Sequence, residues 1–439
     1  MTSSRAARVE ADWTWTGRRF EEGIQVVITD DGRIAEVGRS GRPADRRLRD
    51  RALLPGFVNA HSHAFQRGLR GLGESYHRGQ GDFWSWREAM YALVDRLDAE
   101  AFLELTRRAF EEMRDAGITT VGEFHYLHHC AESLEYELDE LVLEAARAAG
   151  IRLTLLNAYY ASGAPGQPLA GAQRRFATPD PESYWRQMDR LAGKLAGPLE
   201  SLGAVAHSLR AASPAETAAL YAEARRRDLV FHMHVEEQPR EIEEVVAAYG
   251  RRPMALLEEH LEISPRFTAV HCTHSTAEDL VRFASRGGRV CLCPLTEANL
   301  GDGVPDLAAM LGAGIVPCLG SDSNARISML EEMRWMEYAQ RLTHRRRGIA
   351  RGEAAEVAAV LLEAATGAGA ASLGVAAGAL EAGLWADFAL VDLEHPSLAA
   401  IALHSDGKEL AAALAFGAGD GAIEATAVAG RWRQTGGER

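Results

Sequence analysis

The sequence predicts an α/β architecture: a (β/α)8 TIM-like barrel with a small β-sandwich-like domain built from both chain termini. Three observations carry this. In the middle of the chain, eight short apolar runs alternate with long segments of helix-like apolar spacing. The two ends share a different texture of short strands and turns. Finally, polar residues able to bind a metal recur where the apolar runs stop, and that edge is where barrel enzymes keep their chemistry.

In chain order, the first fifty residues read as strands and turns, ADWTWTG and then IQVVITDDGRIAEVG, with DDG marking a hairpin. The texture returns after about residue 375 in LEAGLWADFALVDLEH and AIEATAVAGRWRQ. Residues 1–52 with 375–439 are therefore expected to form one small β domain, and residues 53–374 the barrel inserted into it. The barrel runs are LLPGFVNAHSH, GITTVGEFHY, IRLTLLNAYY, LGAVAHSLR, LVFHMHVEE, FTAVHCTH, RVCLCP and IVPCLGSDS. Between them lie segments such as ELDELVLEAARAAG and SPAETAALYAEARRRD, with helical periodicity. An open doubly wound sheet is the alternative, but no Gly-x-Gly-x-x-Gly turn follows an early strand. There is no internal repeat of solenoid length and no low-complexity segment.

Composition bounds the function. The chain has 439 residues, 47% of them hydrophobic and 25% charged, as in soluble globular proteins. No apolar run approaches the roughly 18 residues that a bilayer requires, and MTSSRAARVEADW lacks a signal-peptide core. A net charge of -14 argues against nucleic acid or an anionic membrane as partner. Cys130, Cys272, Cys291, Cys293 and Cys318 make an odd count, and CLC is not a Cys-x-x-Cys motif. Free thiols, buried except for Cys130, in a reducing cytoplasmic compartment are the expectation.

The strand ends are more specific. In PGFVNAHSH, alternation sends His61 and His63 to one face. Other ends bring Glu123, His125 and Tyr126; His207 and Arg210; His232 and His234, then Glu236 and Glu237; His271 and His274; and Ser321, Asp322 and Ser323. Six of eight ends converging on one mouth would bury many polar groups at a cost of several kcal/mol unless they serve a purpose. His61, His63, His234 and Asp322 suit one divalent metal per chain with an open position for water, zinc in the first place and iron in the second. His128 and His129 fall beyond their strand and read as solvated. The proton acceptor for a metal-activated water is Glu237 or Glu236, between which strand alternation does not choose. His271 can polarise an electrophile or stabilise developing charge. Ser321 and Ser323 are expected to hydrogen-bond Asp322, and Glu297 and Asn299 to shape the mouth. Arg345 to Arg347 read as a solvated helix end.

With these residues assembled, the chain resembles the amidohydrolase superfamily in PGFVNAHSH, HVEEQ, AVHCTH and GSDS, in order along nearly the whole length. The deaminase branch implies ligation by His61, His63, His234 and Asp322, proton shuttling by Glu237, and a catalytic role for His271 beside Asp322. LGAVAHSLR holds no lysine for carboxylation, so the site reads as mononuclear. Within the branch, AHSHAFQRGLRG, FWSWRE, EFHYLHH, HVEEQPREIEEVVAAYGRRP, LTEANLGDG and GSDSNARISMLEEMRWMEY are similar to the formimidoylglutamate deiminases of histidine degradation. That resemblance implies release of ammonia from N-formimidoyl-L-glutamate, leaving N-formyl-L-glutamate, and a homodimer.

A small substrate with two carboxylates calls for guanidinium forks, which Arg87 and Arg210 supply. Gln66, Tyr126 and His207 are further donors, and the resemblance implies substrate contact for all five. A deaminase of a heterocycle, guanine or an adenosine derivative, is the alternative; the two arginines argue against it. A catalytically silent assembly protein would be expected to lack the ligand set.

Overall fold

The computed structural model describes residues 7–74, 81, 83–130, 134–351, 356–399 and 406–436. Eight parallel strands follow one another around a barrel: β1 (Phe57–Ser62), β2 (Ile118–His125), β3 (Arg152–Tyr159), β4 (Glu200–Ala206), β5 (Phe231–Val235), β6 (Phe267–His271), β7 (Arg289–Leu292) and β8 (Cys318–Leu319). Each of the eight apolar runs is one of these strands. β2, β3, β5 and β6 are buried along their whole length, because one face meets the barrel interior and the other meets helices.

The ring closes just past β8. Ser62 and Asp322 form a parallel bridge, the Asp322 amide donates to the His61 carbonyl at 3.0 Å, and the His63 amide donates to the Asp322 carbonyl at 2.9 Å.

Local chemistry starts and stops the helices. In helix Pro214–Arg226, Ser213 and Glu216 form a reciprocal capping box with proline in the first turn. Helix Glu137–Ala149 ends at Gly150, whose φ of 66° a side chain would disfavour. Among the described residues no helix is long and apolar enough to cross a membrane. Cys272, Cys291, Cys293 and Cys318 are buried free thiols and Cys130 is half-buried.

Both termini join one continuous eight-stranded mixed sheet. Ala7–Trp15 runs parallel to Arg46–Pro55, which pairs antiparallel with Phe388–Asp392 from the other end of the chain. Val9, Val26, Leu53, Phe388 and Leu390 form part of its own apolar core. The chain passes from this sheet into β1 at Gly56, where a Cβ would overlap the Thr119 side chain on β2.

Asp387 fastens this junction. Its backbone carbonyl accepts from the Gly56 amide at 2.9 Å, and its carboxylate holds Arg152 of β3 through two bonds of 2.9 and 3.1 Å. Both side chains are almost fully buried, 2% and 1% exposed. Removing one partner of such a pair strands a buried charge. Asp387→Ala is therefore expected to lose about 3–5 kcal/mol of stability, read as a lowered midpoint in denaturant unfolding.

Candidate metal centre and active site

The barrel brings His61 and His63 from β1, His234 from β5 and Asp322 from the loop after β8 to one point. Their four ligand atoms all lie within 4.8 Å of one another. His61 Nε2 is 3.2 Å from both His63 Nε2 and His234 Nε2, and Asp322 Oδ1 is 3.4 and 3.2 Å from His61 and His63. The other ring nitrogens explain this convergence. His63 Nδ1 donates to the Phe124 carbonyl at 2.7 Å and His234 Nδ1 to the His207 carbonyl at 3.0 Å, which leaves an Nε2 lone pair on each ring. The two 3.2 Å contacts both run through His61 Nε2, and a cation at the centre would let all three nitrogens face it. A tetrahedral ion with bonds of about 2.0–2.1 Å spaces its ligands about 3.3–3.4 Å apart, so the set fits zinc or a similar cation.

The electrostatics agree. Burial holds His61 down at about 3 and, with neighbouring His207, holds His234 well below its ordinary range. Burial would raise Asp322, but its neighbours His61 and His63 outweigh it and hold the carboxyl well below the usual range. Neutral imidazole and an ionised carboxylate are the forms that bind metals.

Glu236 and Glu237 now separate. Glu236, at a φ of 53°, turns away from the mouth to Arg252 at 3.1 Å, Ser275 at 2.8 Å and the Met254 amide at 3.2 Å. Glu237 faces the pocket, its carboxylate 3.9 Å from His271 Nε2 and 3.7 Å from an Arg210 nitrogen. His271 Nε2 is also 3.9 Å from Asp322 Oδ2, and its Nδ1 is 3.4 Å from Glu297. Burial would lower His271, yet Glu237, Glu297 and Asp322 together raise it to about 10, leaving it an imidazolium at neutral pH.

The mouth opens into a pocket whose walls include Gln66, Arg87, Tyr126, His207 and Arg210, with His63, His234, Glu237 and Asp322 at its base. Gln66 Nε2 donates to the Tyr126 hydroxyl at 2.6 Å. Arg87, on helix Phe83–Val94, lies 5.4 Å from the Trp84 ring and 5.3 Å from the Tyr91 ring. Arg210 is buried, and its Nε finds no partner among the described residues. Phe83, Trp86, Tyr160 and Phe176 complete the aromatic walls.

Several expectations are corrected. His128 and His129 are not solvated but 0% and 1% exposed. They occupy a loop packed under Arg175, which bonds the carbonyls of Leu97 and His129. Ser321 and Ser323 do not hold the Asp322 carboxylate: the Ser321 hydroxyl bridges Asn59 and Asn324, and that of Ser323 meets Thr296. His232 faces away from the mouth, its Nε2 on the Ser372 carbonyl at 3.1 Å. Two buried carboxyls lie near the site, Glu123, which the sequence places at its strand end, and Glu241, which sequence reasoning misses. Glu123 accepts from the Ala64 amide at 2.6 Å and Glu241 from the Glu237 amide at 3.2 Å, and burial pushes each up to about 7. Glu241 has a sequence signal, an acid in the first turn of helix Pro239–Tyr249 four residues after Glu237.

A barrel with this donor set at its mouth, a carboxylate beside it and an imidazolium opposite defines a hydrolase. The chain matches the amidohydrolase family over residues 52–433 and belongs to it. It hydrolyses carbon–nitrogen bonds other than peptide bonds. It is 38% identical over 419 residues to a formimidoylglutamate deiminase of Pseudomonas aeruginosa, covering 94% of this chain and 91% of that one. A 5-methylthioadenosine/S-adenosylhomocysteine deaminase of Syntrophobacter fumaroxidans is 28% identical over 392 residues, 87% and 82% of the two chains. Among solved structures, an amidohydrolase from Brucella melitensis superposes with a TM-score of 0.89 at 32% identity, over 99% of this chain and 96% of that one. An adenosine deaminase from Xanthomonas campestris with bound zinc shares the fold, with a TM-score of 0.82 at 24% identity over 98% and 92%.

Elemental analysis separates ligands from supporting groups. His234→Ala is expected to lose its bound metal, whereas Glu297→Gln, which touches His271 and the Cys293 amide, is expected to keep it. An unchanged metal content in His234→Ala would remove that residue from the ligand set.

Proposed function

We propose that the protein hydrolyses the formimidoyl group of N-formimidoyl-L-glutamate, releasing ammonia and leaving N-formyl-L-glutamate, a step of histidine degradation. The observation that carries this reading is Arg210: a buried guanidinium at the pocket wall with an unpaired Nε, beside the ligand set. Such a group calls for an anionic partner, and a planar fork suits a carboxylate. Arg87 supplies a second guanidinium on the same pocket for a second carboxylate. The likeness to the Pseudomonas aeruginosa deiminase supports the formimidoyl group as the reacting end.

A divalent cation held by His61, His63, His234 and Asp322 would supply the Lewis acidity that makes a water nucleophilic near neutral pH. The chain's own residues do the rest. Arg210 and Arg87 hold the glutamate carboxylates, while Gln66, Tyr126 and His207 orient the formimidoyl end. Glu237 takes the proton of the attacking water and hands it to the departing nitrogen. His271, with a positive charge at neutral pH, stabilises the tetrahedral intermediate, and its proximity to Asp322 links the two in proton transfer. The carbon–nitrogen bond to the terminal nitrogen breaks, ammonia leaves, and the formyl group stays on the glutamate nitrogen.

The test is ammonia release by purified protein from N-formimidoyl-L-glutamate, with guanine and an adenosine derivative in parallel. Release from the first alone supports the reading; release from a heterocycle alone overturns it. Two variants divide the labour. Glu237→Gln is expected to lower kcat by about 10²–10⁴-fold with its metal content intact. Arg210→Met is expected to raise KM by about 10²-fold, because a charge-assisted bidentate contact worth about 3 kcal/mol is lost. A KM for Arg210→Met equal to wild type would place the carboxylates elsewhere.

A further inference from the structure

A second group combines histidines with a carboxylate, and nothing in the reaction above uses it. His125 ends β2, His128 lies three residues on, and Asp139 sits in helix Glu137–Ala149; all are buried. His125 Nε2 and His128 Nδ1 both lie 2.9 Å from the same oxygen, Asp139 Oδ1. Gln187, from helix Pro181–Ala192, donates to the other carboxylate oxygen at 2.7 Å. His128 Nε2 is 2.8 Å from the Ala158 carbonyl of β3.

The spacing is that of hydrogen bonds, short of the roughly 3.3 Å that ligands keep around a tetrahedral metal. Proton counting then settles the chemistry. A carbonyl only accepts, so His128 Nε2 donates to Ala158. A carboxylate also only accepts, so Asp139 is the shared acceptor of the two rings. Burial would raise Asp139, but His128 and His125 outweigh it and hold it well below the ordinary range, so the carboxylate is ionised. The cluster is therefore a buried, ionised carboxylate that two imidazoles meet at hydrogen-bond distance.

What this cluster holds is the four-residue span from His125 to His128. His125 and His128, its flanks, are pinned to one oxygen, and between them Tyr126 projects into the pocket. Its hydroxyl meets Gln66, and its ring packs edge-on against Phe176 at 4.9 Å and His207 at 5.2 Å. We propose that Asp139 is a positioning residue for substrate binding, acting through His125 and His128 to fix Tyr126 at the pocket wall. This rests on the proposed reading that the pocket binds the substrate.

A double-mutant cycle with a spectroscopic readout tests it. Asp139→Asn is expected to raise KM for N-formimidoyl-L-glutamate about tenfold, with kcat within about threefold of wild type and metal content unchanged. In a Tyr126→Phe background the same substitution is expected to change KM by less than about twofold, because the two residues act on one contact. Equal effects in both backgrounds, or a fall in kcat at constant KM, would overturn the proposal. If Asp139→Asn does not fold, Gln187→Ala, which removes one donor and keeps the charge, enters the cycle with the same criteria. Wild-type protein inactive on this substrate would count against the functional reading alone. In that case nitrogen-15 spectra of the histidine rings decide: signals of His125 and His128 that shift between wild type and Asp139→Asn are the expected result, and unchanged signals overturn the pinned span.

Discussion

The barrel closes through residues of the set that could hold a metal, and the rest of the site depends on that closure. β8 is only two residues long, so the seam to β1 is carried by the loop immediately beyond it. There the Asp322 amide and carbonyl bond the backbone of His61 and His63. Forming the seam and assembling three of the four ligands are thus one event. Gly320 allows it, because a Cβ at that position would lie 2.7 Å from the His61 Cβ and carbonyl oxygen. Asp322 also adopts a φ of 47°, a conformation that costs of order 1–3 kcal/mol and needs support. The support is a net of buried hydrogen bonds: Asn59 with the Ser321 amide and hydroxyl, Ser321 with Asn324, and Asn324 with the Ser62 hydroxyl. The serine expected to serve the carboxylate instead clamps the two strands that carry it.

Charge is distributed so that Glu237 stays free to work. Two buried cations face it, His271 and Arg210, each beyond hydrogen-bond distance at 3.9 and 3.7 Å. Each cation has a second carboxylate in attendance: Glu297 bonds His271, and the charge of Glu241 acts on Arg210. Neither cation is then obliged to capture Glu237. Glu236, one residue earlier, shows the opposite arrangement, with three bonds of 2.8 to 3.2 Å holding its carboxylate in place. A carboxylate that accepts and delivers a proton needs the first environment; a structural one is best served by the second.

Much of this is legible in the sequence, and the parts that are not have identifiable reasons. Strand alternation and the rule that chemistry sits at strand ends place His61, His63, His234, His271 and Asp322, because a parallel strand leaves little freedom at its tip. The same rule cannot divide Glu236 from Glu237. The φ of 53° at Glu236 breaks the two-residue alternation at that point, and only the fold imposes it. His128 and His129 read wrongly because a polar stretch without periodicity resembles a solvated loop. Their burial comes from Arg175, Tyr136 and Asp139, all supplied by later parts of the chain. Arg87 and Arg210 are legible as charge but not as environment; the unpaired Arg210 Nε is a property of the folded pocket.

The two histidine–carboxylate groups show why residue type alone does not define a metal site. Both place neutralising charge in the interior, and both use one carboxylate oxygen as the meeting point for two imidazoles. They differ in how many rings converge and at what spacing. At the barrel mouth three imidazole nitrogens converge with Asp322 Oδ1, an arrangement that a cation would hold together. Beneath Tyr126, two imidazoles meet one oxygen of the ionised Asp139 carboxylate at hydrogen-bond distance. The spacing between the polar atoms reflects that difference, 3.2 to 3.4 Å in the first group and 2.9 Å in the second. Spacing, more than residue type, thus distinguishes the candidate metal-binding group from the group we propose to hold the pocket in shape.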